Sequence, residues 1–317
     1  MRIYVLHEND EWLPPFAEAL DAERLPWEPW FLDGGVLDLS GPPPEGVFYS
    51  RMSASCHTRG HVRAKEHPRS VLSWLEAHGR RVVNGRRVLE LEMSKVDQLT
   101  ALAAAGFDVP RTVAVVGSDR LAAQARAFPA PFITKHNQGG KGLGVRRFDD
   151  AALLERALTG GELDEPADHT WLLQEYVQPA EGFITRVEIV GGVFLYALKA
   201  DTSRGFELCP ADACEVHDEF CPAGPHAAPI FDYRPDIDEG LVGRYLAFAR
   251  AWGIEIAGFE FIEAVDGRVV TYDVNTNTNY NSVVEERAGR SGPREVARFL
   301  GQLLAERRRT GRVAVAS

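Results

Sequence analysis

The sequence is poor in the features that mark several large classes of protein. It has only four cysteines in 317 residues, Cys56, Cys209, Cys214 and Cys221. Nothing beside them indicates export, so reduced thiols in a cytoplasmic protein are expected. The apolar run Met1–Leu6 meets His7, Glu8, Asn9 and Asp10 at once, so no signal peptide is expected. No stretch approaches the roughly 20 apolar residues a membrane helix needs, and no membrane partner is expected. Positive charge is in deficit: 35 Lys and Arg stand against 46 Asp and Glu, a net charge of −11. A duplex-binding protein needs a basic face to neutralise phosphates, so no nucleic-acid partner is expected. What remains is 45% hydrophobic and 26% charged, enough apolar material for a substantial core and, by length, about two domains.

The pattern along the chain alternates strands and helices, an α/β reading. Strands are expected at Arg2–Leu6, Gly46–Tyr49 and Arg81–Val83, with helices through Phe16–Leu20 and Ser70–His78. Elements of this length suggest an open α/β layer over residues 1–90, with the Pro-rich piece Gly41–Gly46 as a loop inside it. Ser94 caps a helix carrying Leu99, Leu102 and Ala103 on one face and ending at Gly106. Strands follow at Pro131–Lys135 and Trp171–Val177, then a hairpin of Thr185–Ile189 with Val193–Leu198 around Gly191-Gly192. A helix at Leu241–Trp252, strands at Gly258–Ala264 and Arg268–Val274, and a last helix at Arg294–Leu304 complete the pattern.

Two segments carry chemistry. Gln138-Gly139-Gly140-Lys141-Gly142-Leu143-Gly144 follows a strand that ends in Lys135. Glycines let backbone N–H groups approach a phosphate, and Lys135 would add a cation. The spacing is neither the dinucleotide fingerprint nor the P-loop, and a plain hairpin tip reads equally well from this segment alone. Further on, Asp273 and Asn275 lie two apart in a strand and so point to one face. If the strand bearing Glu260 pairs with theirs, two carboxylates and an amide oxygen meet. That is a hard-oxygen set suited to magnesium, which keeps waters and substrate phosphates as its other ligands. The amide-rich run Asn275-Thr276-Asn277-Thr278-Asn279-Tyr280-Asn281 also suggests a hydrogen-bonding site, against the alternative of a solvated strand edge.

In this order and spacing, the segments over residues 90–290 resemble the ATP-grasp superfamily, and within it the RimK-like carboxylate–amine ligases. Ser94-Lys95, the helix to Gly106 and the turn Val109-Pro110 are similar to the family's first nucleotide-contacting lysine and the segment after it. Lys135 and the loop with Gly139, Gly140 and Gly142 look like its second lysine and phosphate-covering flap. Leu173-Gln174-Glu175-Tyr176-Val177 looks like the hinge that holds adenine. The resemblance implies an ATP-grasp fold behind an N-terminal open α/β domain, with residues 1–90, 91–175 and 176–317 as three units. It implies ATP held by Lys95, Lys135, the glycines, Gln174, Glu175, Tyr176 and Val177, with Glu181 at the ribose. It implies Mg2+, or Mn2+ in its place, on Glu260, Asp273 and Asn275, and Arg186 near the transferred phosphate. The implied reaction makes an acyl phosphate and ADP, and an amine then displaces phosphate to leave a peptide or isopeptide bond. Small carboxylate and amine substrates, or a peptide, are the implied partners, and a homo-oligomer suits the resemblance. An ATP-grasp kinase, a carboxylate–thiol ligase and a catalytically silent nucleotide-binding protein are the alternatives. Two departures bear on substrate choice: the family's Asn-x-Ser-Pro-Gly ending is replaced by Asn275-Thr276-Asn277-Thr278-Asn279, and Ile184 stands where an acidic residue is usual.

Other residues are weaker candidates. Arg51, just past a strand's carboxyl end, is the candidate for a substrate carboxylate contact, since open α/β sheets bind ligands there. Asn277 is a second substrate-facing candidate, and Lys199 is a catalytic candidate that would reach the phosphates or a substrate carboxylate. His57 and His61 read as surface histidines, and Trp12, Trp27, Trp30 and Phe31 as packing. Cys209, Cys214, His217 and Cys221 could form a zinc site, but they lack the paired close cysteines of zinc modules. Thiols in a substrate-covering loop are the expectation.

Overall fold

A computed structural model describes residues 1–140, 142, 144–202 and 231–316, and within them the strands form three sheets. In the first, β1 (Arg2–His7), β2 (Trp27–Phe31), β3 (Gly46–Arg51) and β4 (Arg81–Val83) run parallel in the order β2-β1-β3-β4. The inner strands β1 and β3 are near-continuous apolar runs because both of their faces are covered. Ile3, Val5, Val47 and Tyr49 face α1 (Pro14–Ala22) and α9 (Gly292–Ala316), while Tyr4, Leu6 and Phe48 face α2 (Glu66–Ala77) and α3 (Arg86–Met93).

Two of these elements were hidden in the sequence. Trp27, Trp30 and Phe31 belong to β2, whose Pro29 argues against a strand; β2 lies at the sheet edge, where a proline costs no ladder bond. Helix α3 carries Arg86, Arg87, Glu90 and Glu92 among its eight residues, yet buries Val88, Leu89, Leu91 and Met93. It stops at Ser94, whose side chain accepts from Asp97 N–H at 3.2 Å and so caps α4 (Lys95–Ala104).

An antiparallel sheet follows, with β5 (Thr112–Val116), β6 (Phe132–His136), β7 (Arg146–Phe148) and β8 (Thr170–Glu175) in the order β5-β8-β6-β7. It packs on α5 (Leu121–Arg126) and α6 (Ala151–Thr159) through Phe132, Phe148 and Trp171. The last sheet holds β9 (Phe183–Val190), β10 (Val193–Asp201), β11 (Phe231–Arg234), β12 (Ile256–Glu263) and β13 (Val269–Asn275), antiparallel in the order β11-β10-β9-β12-β13. Alternation gives β9 two different faces. Val187 and Ile189 pack under α7 (Glu239–Trp252), while Ile184 and Val190 face the core shared with α1, α9 and the first sheet. Arg186 and Glu188 fall on that second face, at the centre of the molecule. The polypeptide closes with α8 (Ser282–Ala288) and α9, which runs past the expected Leu304. Among the described residues no helix is long and apolar enough to cross a membrane.

Candidate functional site

Asn137, just past β6, ties the two lysines together. Its backbone carbonyl accepts from Lys95 N–H at 3.2 Å, and its Oδ1 accepts from Val96 N–H at 2.9 Å. Its amide nitrogen donates to Asp168 Oδ2 at 2.7 Å. The start of α4, carrying Lys95, is thereby fixed against the end of β6, carrying Lys135. Both side chains are buried. Lys95 donates to Asp273 Oδ1. Burial works against its charge, but Asp273 and Glu92 outweigh burial and hold the ammonium above its ordinary pKa. Lys135 has no hydrogen-bond partner among the described residues. Burial, with Lys95 beside it, pulls its pKa down to about 8. A buried cation without a partner is suited to an anion from outside.

The acidic group lies on the neighbouring strands. Glu260 on β12 is directly opposite Asp273 on β13, and Gly258 is opposite Asn275. The register slips after Glu260, leaving Tyr272 as the extra residue of a bulge; its hydroxyl donates to Glu260 Oε2 at 2.8 Å. Burial, then the Asp273 charge, pushes the Glu260 carboxyl up. Burial acts on Asp273 as well, but Lys95 outweighs it and holds that carboxyl low. Opposite Glu260 on β9 sits Arg186, with its Nη1 3.6 Å from Glu260 Oε1 and its Nε 2.7 Å from Glu188 Oε1. The guanidinium lies over Gly258, where a Cβ would collide with Nε. Burial opposes the Arg186 charge, yet Glu188, Glu260 and Asp273 together raise its pKa. Among the described residues no three His, Cys, Asp or Glu side chains group to hold a metal by themselves. Glu260, Asp273 and the Asn275 amide fit instead an ion that keeps water or phosphate oxygens in its remaining positions.

The two lysines, Arg186 and the acidic group open on one cavity of about 250 Å³. Lys95, Lys135, Gly139, Gly140, Gly142, Gln174, Glu175, Tyr176, Val177, Arg186, Glu260, Asp273, Asn275 and Asn277 all line it. At the Gln174–Val177 end the wall is apolar, with Pro110, Ile133, Val145, Ile184 and Ile262. The Glu175 carboxylate is held by Arg268, whose hydrogen bond keeps its pKa low, and accepts from Arg111 N–H at 3.0 Å. The glycine-rich loop reaches the first sheet's loops: Gln138 accepts from Lys65, and Gly140 lies against Ser55. Lys141 and Leu143 are outside the described residues.

Several candidates fall elsewhere. Leu198 of β10 is opposite Arg186, so Lys199 points to the other face of the sheet, away from the cavity. It lines a separate hollow with Glu181, Phe183, Asp232 and Arg234, its Nζ 4.4 Å from the Phe183 ring centre. Strand alternation thus corrects Lys199 at the phosphates, and Glu181, just before β9, lines this second hollow and not the main cavity. Arg51 is 3% exposed and sits behind the cavity wall, not in it. His61 is no bare surface residue, since its Nδ1 lies 2.8 Å from the fully buried Glu8. Cys209, Cys214, His217 and Cys221 lie outside the described residues. Conversely, Trp12, read from the sequence as packing, and Ser53, Ser55 and Glu92 also line the cavity, as does Asn279 of the amide-rich run. Glu92 Oε2 accepts from Thr276 N–H and Oγ1, both at 2.8 Å, and burial raises its pKa. Glu188, the Arg186 partner, was within reach of sequence reasoning, because it sits two residues from Arg186 in an apolar strand and must share its face.

No family model matches the chain, and no curated protein matches it. Solved structures do. A RimK domain ATP-grasp protein from Sphaerobacter thermophilus is 17% identical with a TM-score of 0.64, over 94% of this chain and 99% of that one. The D-cycloserine synthetase DcsG is 20% identical with a TM-score of 0.64, over 95% and 99%. The ATP-grasp ligase PsnB, solved with a minimal precursor, is 18% identical with a TM-score of 0.62, over 95% and 98%. This chain therefore has the ATP-grasp fold along nearly its whole length.

Proposed function

We propose that this protein is an ATP- and Mg2+-dependent ligase that joins a carboxylate to an amine through an acyl phosphate, releasing ADP and phosphate. The observation that carries the reading is the convergence of Lys95, Lys135, Arg186, Glu260, Asp273 and Asn275 on one cavity with an apolar end at Gln174–Val177. The similar ligase PsnB was solved with Mg and ADP, which supports the same pair of ligands here. The residues divide into a nucleotide-binding half, 91–175, and a metal-bearing half, 176–317, behind the α/β layer of 1–90.

In this reading the adenine lies between the backbone at Gln174–Val177 and the apolar side chains opposite. Lys95 and Lys135 hold the α- and β-phosphates. Glu260, Asp273 and the Asn275 amide oxygen would hold Mg2+, which supplies positive charge to offset that of the transferring phosphoryl group. Arg186 is anchored by Glu188 and lies at the same oxygens, so its cation is oriented before substrate arrives. The loop carrying Gly139 and Gly140 closes the cavity and keeps water from an intermediate that hydrolyses readily.

The test is phosphorus NMR of the protein with ATP, Mg2+ and a pool of amino acids and dipeptides, followed by mass spectrometry. ADP and phosphate that depend on the pool, with a condensation product, are expected. AMP and pyrophosphate would overturn the acyl-phosphate route.

A further inference from the structure

Strand β13 is the outer strand of its sheet, so the backbone groups it turns away from β12 have no strand to pair with. Where such groups are buried they must find other partners or cost free energy. At Thr271 the partner is backbone, since its N–H donates to Asp108 O at 2.8 Å. Three residues on, side chains take over. Gln98 of α4 is fully buried; its Oε1 accepts from Val274 N–H at 3.1 Å and its Nε2 donates to Val274 O at 2.9 Å. The same Nε2 donates to Leu91 O at 3.0 Å, which fixes the amide in one orientation. An amide side chain offers the donor and acceptor of a peptide group, and here it replaces a strand at one residue.

That residue stands between Asp273 and Asn275. Thr276, on the far side of Asn275, is held in a similar way. Glu92 Oε2 accepts from its N–H and its hydroxyl, both at 2.8 Å, and Asn84 Nδ2 donates to its carbonyl at 3.2 Å. The ladder with β12 ends at the Gly258–Asn275 pair, so Asn275 occupies a strand end, where pairing alone leaves the chain free to fray. The Asn275 side chain is fixed in turn: its Oδ1 accepts from Asn277 N–H at 2.9 Å and keeps a second lone pair for an ion. Gln98 itself lies outside the cavity lining, about one turn along α4 from Lys95, which grips Asp273.

We propose that Gln98 is a positioning residue of the metal site. Its amide stands in for the missing strand, holds the backbone between Asp273 and Asn275, and so keeps both oxygen donors on the face shared with Glu260. Helix α4 thereby serves both ligands, with Lys95 toward the nucleotide and Gln98 behind the ion. This role rests on the reading of Glu260, Asp273 and Asn275 as the Mg2+ ligands, and it is a property of binding, separate from turnover.

The test follows the melting temperature of the whole chain with a non-hydrolysable ATP analogue as Mg2+ is titrated, beside calorimetric binding of the same analogue in EDTA. Gln98→Met keeps the length of the side chain and removes the amide. It is expected to raise the Mg2+ concentration at half the melting-temperature rise by about tenfold, the scale for a residue behind a metal ligand. Affinity for the analogue in EDTA should change little. Thr276→Val gives up only the hydroxyl contact to Glu92 and should shift the same midpoint in the same direction by less. Tyr245→Phe is the control for a merely structural effect. It removes a buried 2.8 Å hydrogen bond to Thr271 of the same strand but touches neither Val274 nor Thr276, so its midpoint should match the parent's. Three results each overturn the proposal: an unchanged midpoint in Gln98→Met (or in Thr276→Val, should Gln98→Met not fold), an equal shift in Tyr245→Phe, or an equal loss of analogue affinity in EDTA. A parent protein without any Mg2+ response would overturn the metal assignment and this role with it. A parent that binds Mg2+ and the analogue but makes no condensation product would overturn the ligase reading and leave this role standing.

Discussion

Glu260 and Asp273 are directly opposed residues on paired antiparallel strands, two half-buried carboxylates whose charges are kept apart by unequal surroundings. Asp273 has the Lys95 ammonium against it and stays ionised; Glu260 bears burial and the Asp273 charge, and its carboxyl is pushed up. The arrangement is costly without a cation and favourable with one. A carboxyl raised above its unfolded value favours folding below that unfolded pKa, and loses the advantage as pH rises through the folded value. Glu260→Gln should therefore be more stable than the parent at neutral pH, on the order of 1 kcal/mol, with the gap closing toward pH 4.5. The same change, like Asp273→Ala, should remove the Mg2+-dependent rise in melting temperature and lower ATP turnover at least tenfold. Calorimetry across pH, with and without Mg2+, reads both effects. A variant that keeps the Mg2+ response would end the metal assignment.

Lys135 titrates where enzymes are assayed. With its pKa near 8, it is charged below that pH and increasingly neutral above. Phosphate oxygens would favour the charged form, so nucleotide binding above about pH 8 must take up a proton. Affinity for ATP should then fall by up to tenfold per pH unit above that point. Titration calorimetry in two buffers of different ionisation heat measures the uptake directly. Lys135→Arg should abolish both the uptake and the slope, because a guanidinium stays protonated.

How much of this was legible in the sequence depends on the kind of signal. Capping at Ser94, the period-two pairing of Asp273 with Asn275, and the Gly191-Gly192 hairpin are local, and each occurs as expected. Lys199 failed for a reason equally local: its parity relative to Arg186 depends on the β9–β10 register, which the turn fixes and the residues alone do not. The end of the cavity away from Gln174–Val177 was less legible: Trp12, Ser53 and Asn279 come from three separate places, and only tertiary packing brings them to one cavity. Arg51 was legible as a residue past a strand, but its burial behind the cavity wall is a property of what surrounds it.

Arg186 and Glu188 form a buried pair with the Thr278 hydroxyl, 2.9 Å from both Glu188 oxygens. Removing one partner leaves the other charge stranded, which costs about 3–5 kcal/mol in such settings, whereas replacing both costs much less. Glu188→Ala should thus be more destabilised in urea than the double variant Arg186→Met with Glu188→Met. Both should be inactive, since each disturbs the cation beside the acidic pair. An equal loss of stability in the single and double variants would mean that the pair is solvated.

Asn137 offers the sharpest separation of stability from function. Its side chain caps α4 through Val96 and is itself held by Asp168, so Asn137→Ala removes a helix cap and a half-buried hydrogen bond together. The cap alone is worth roughly 1 kcal/mol, and the variant should unfold at correspondingly lower denaturant. The same bonds register Lys95 against Lys135, and a small displacement between two cations that grip one chain of phosphates weakens both contacts. KM for ATP should rise several-fold while kcat changes little, because Arg186 and the acidic pair lie on the other sheet and keep their geometry. Asn137→Asp retains an acceptor for Val96 N–H but loses the donor to Asp168, placing two carboxylates together. It should therefore be the less stable of the two variants at neutral pH and recover toward pH 4, as the carboxylates protonate. Chemical denaturation at both pH values, run beside initial-rate kinetics, separates the structural share of Asn137 from its part in aligning the lysines.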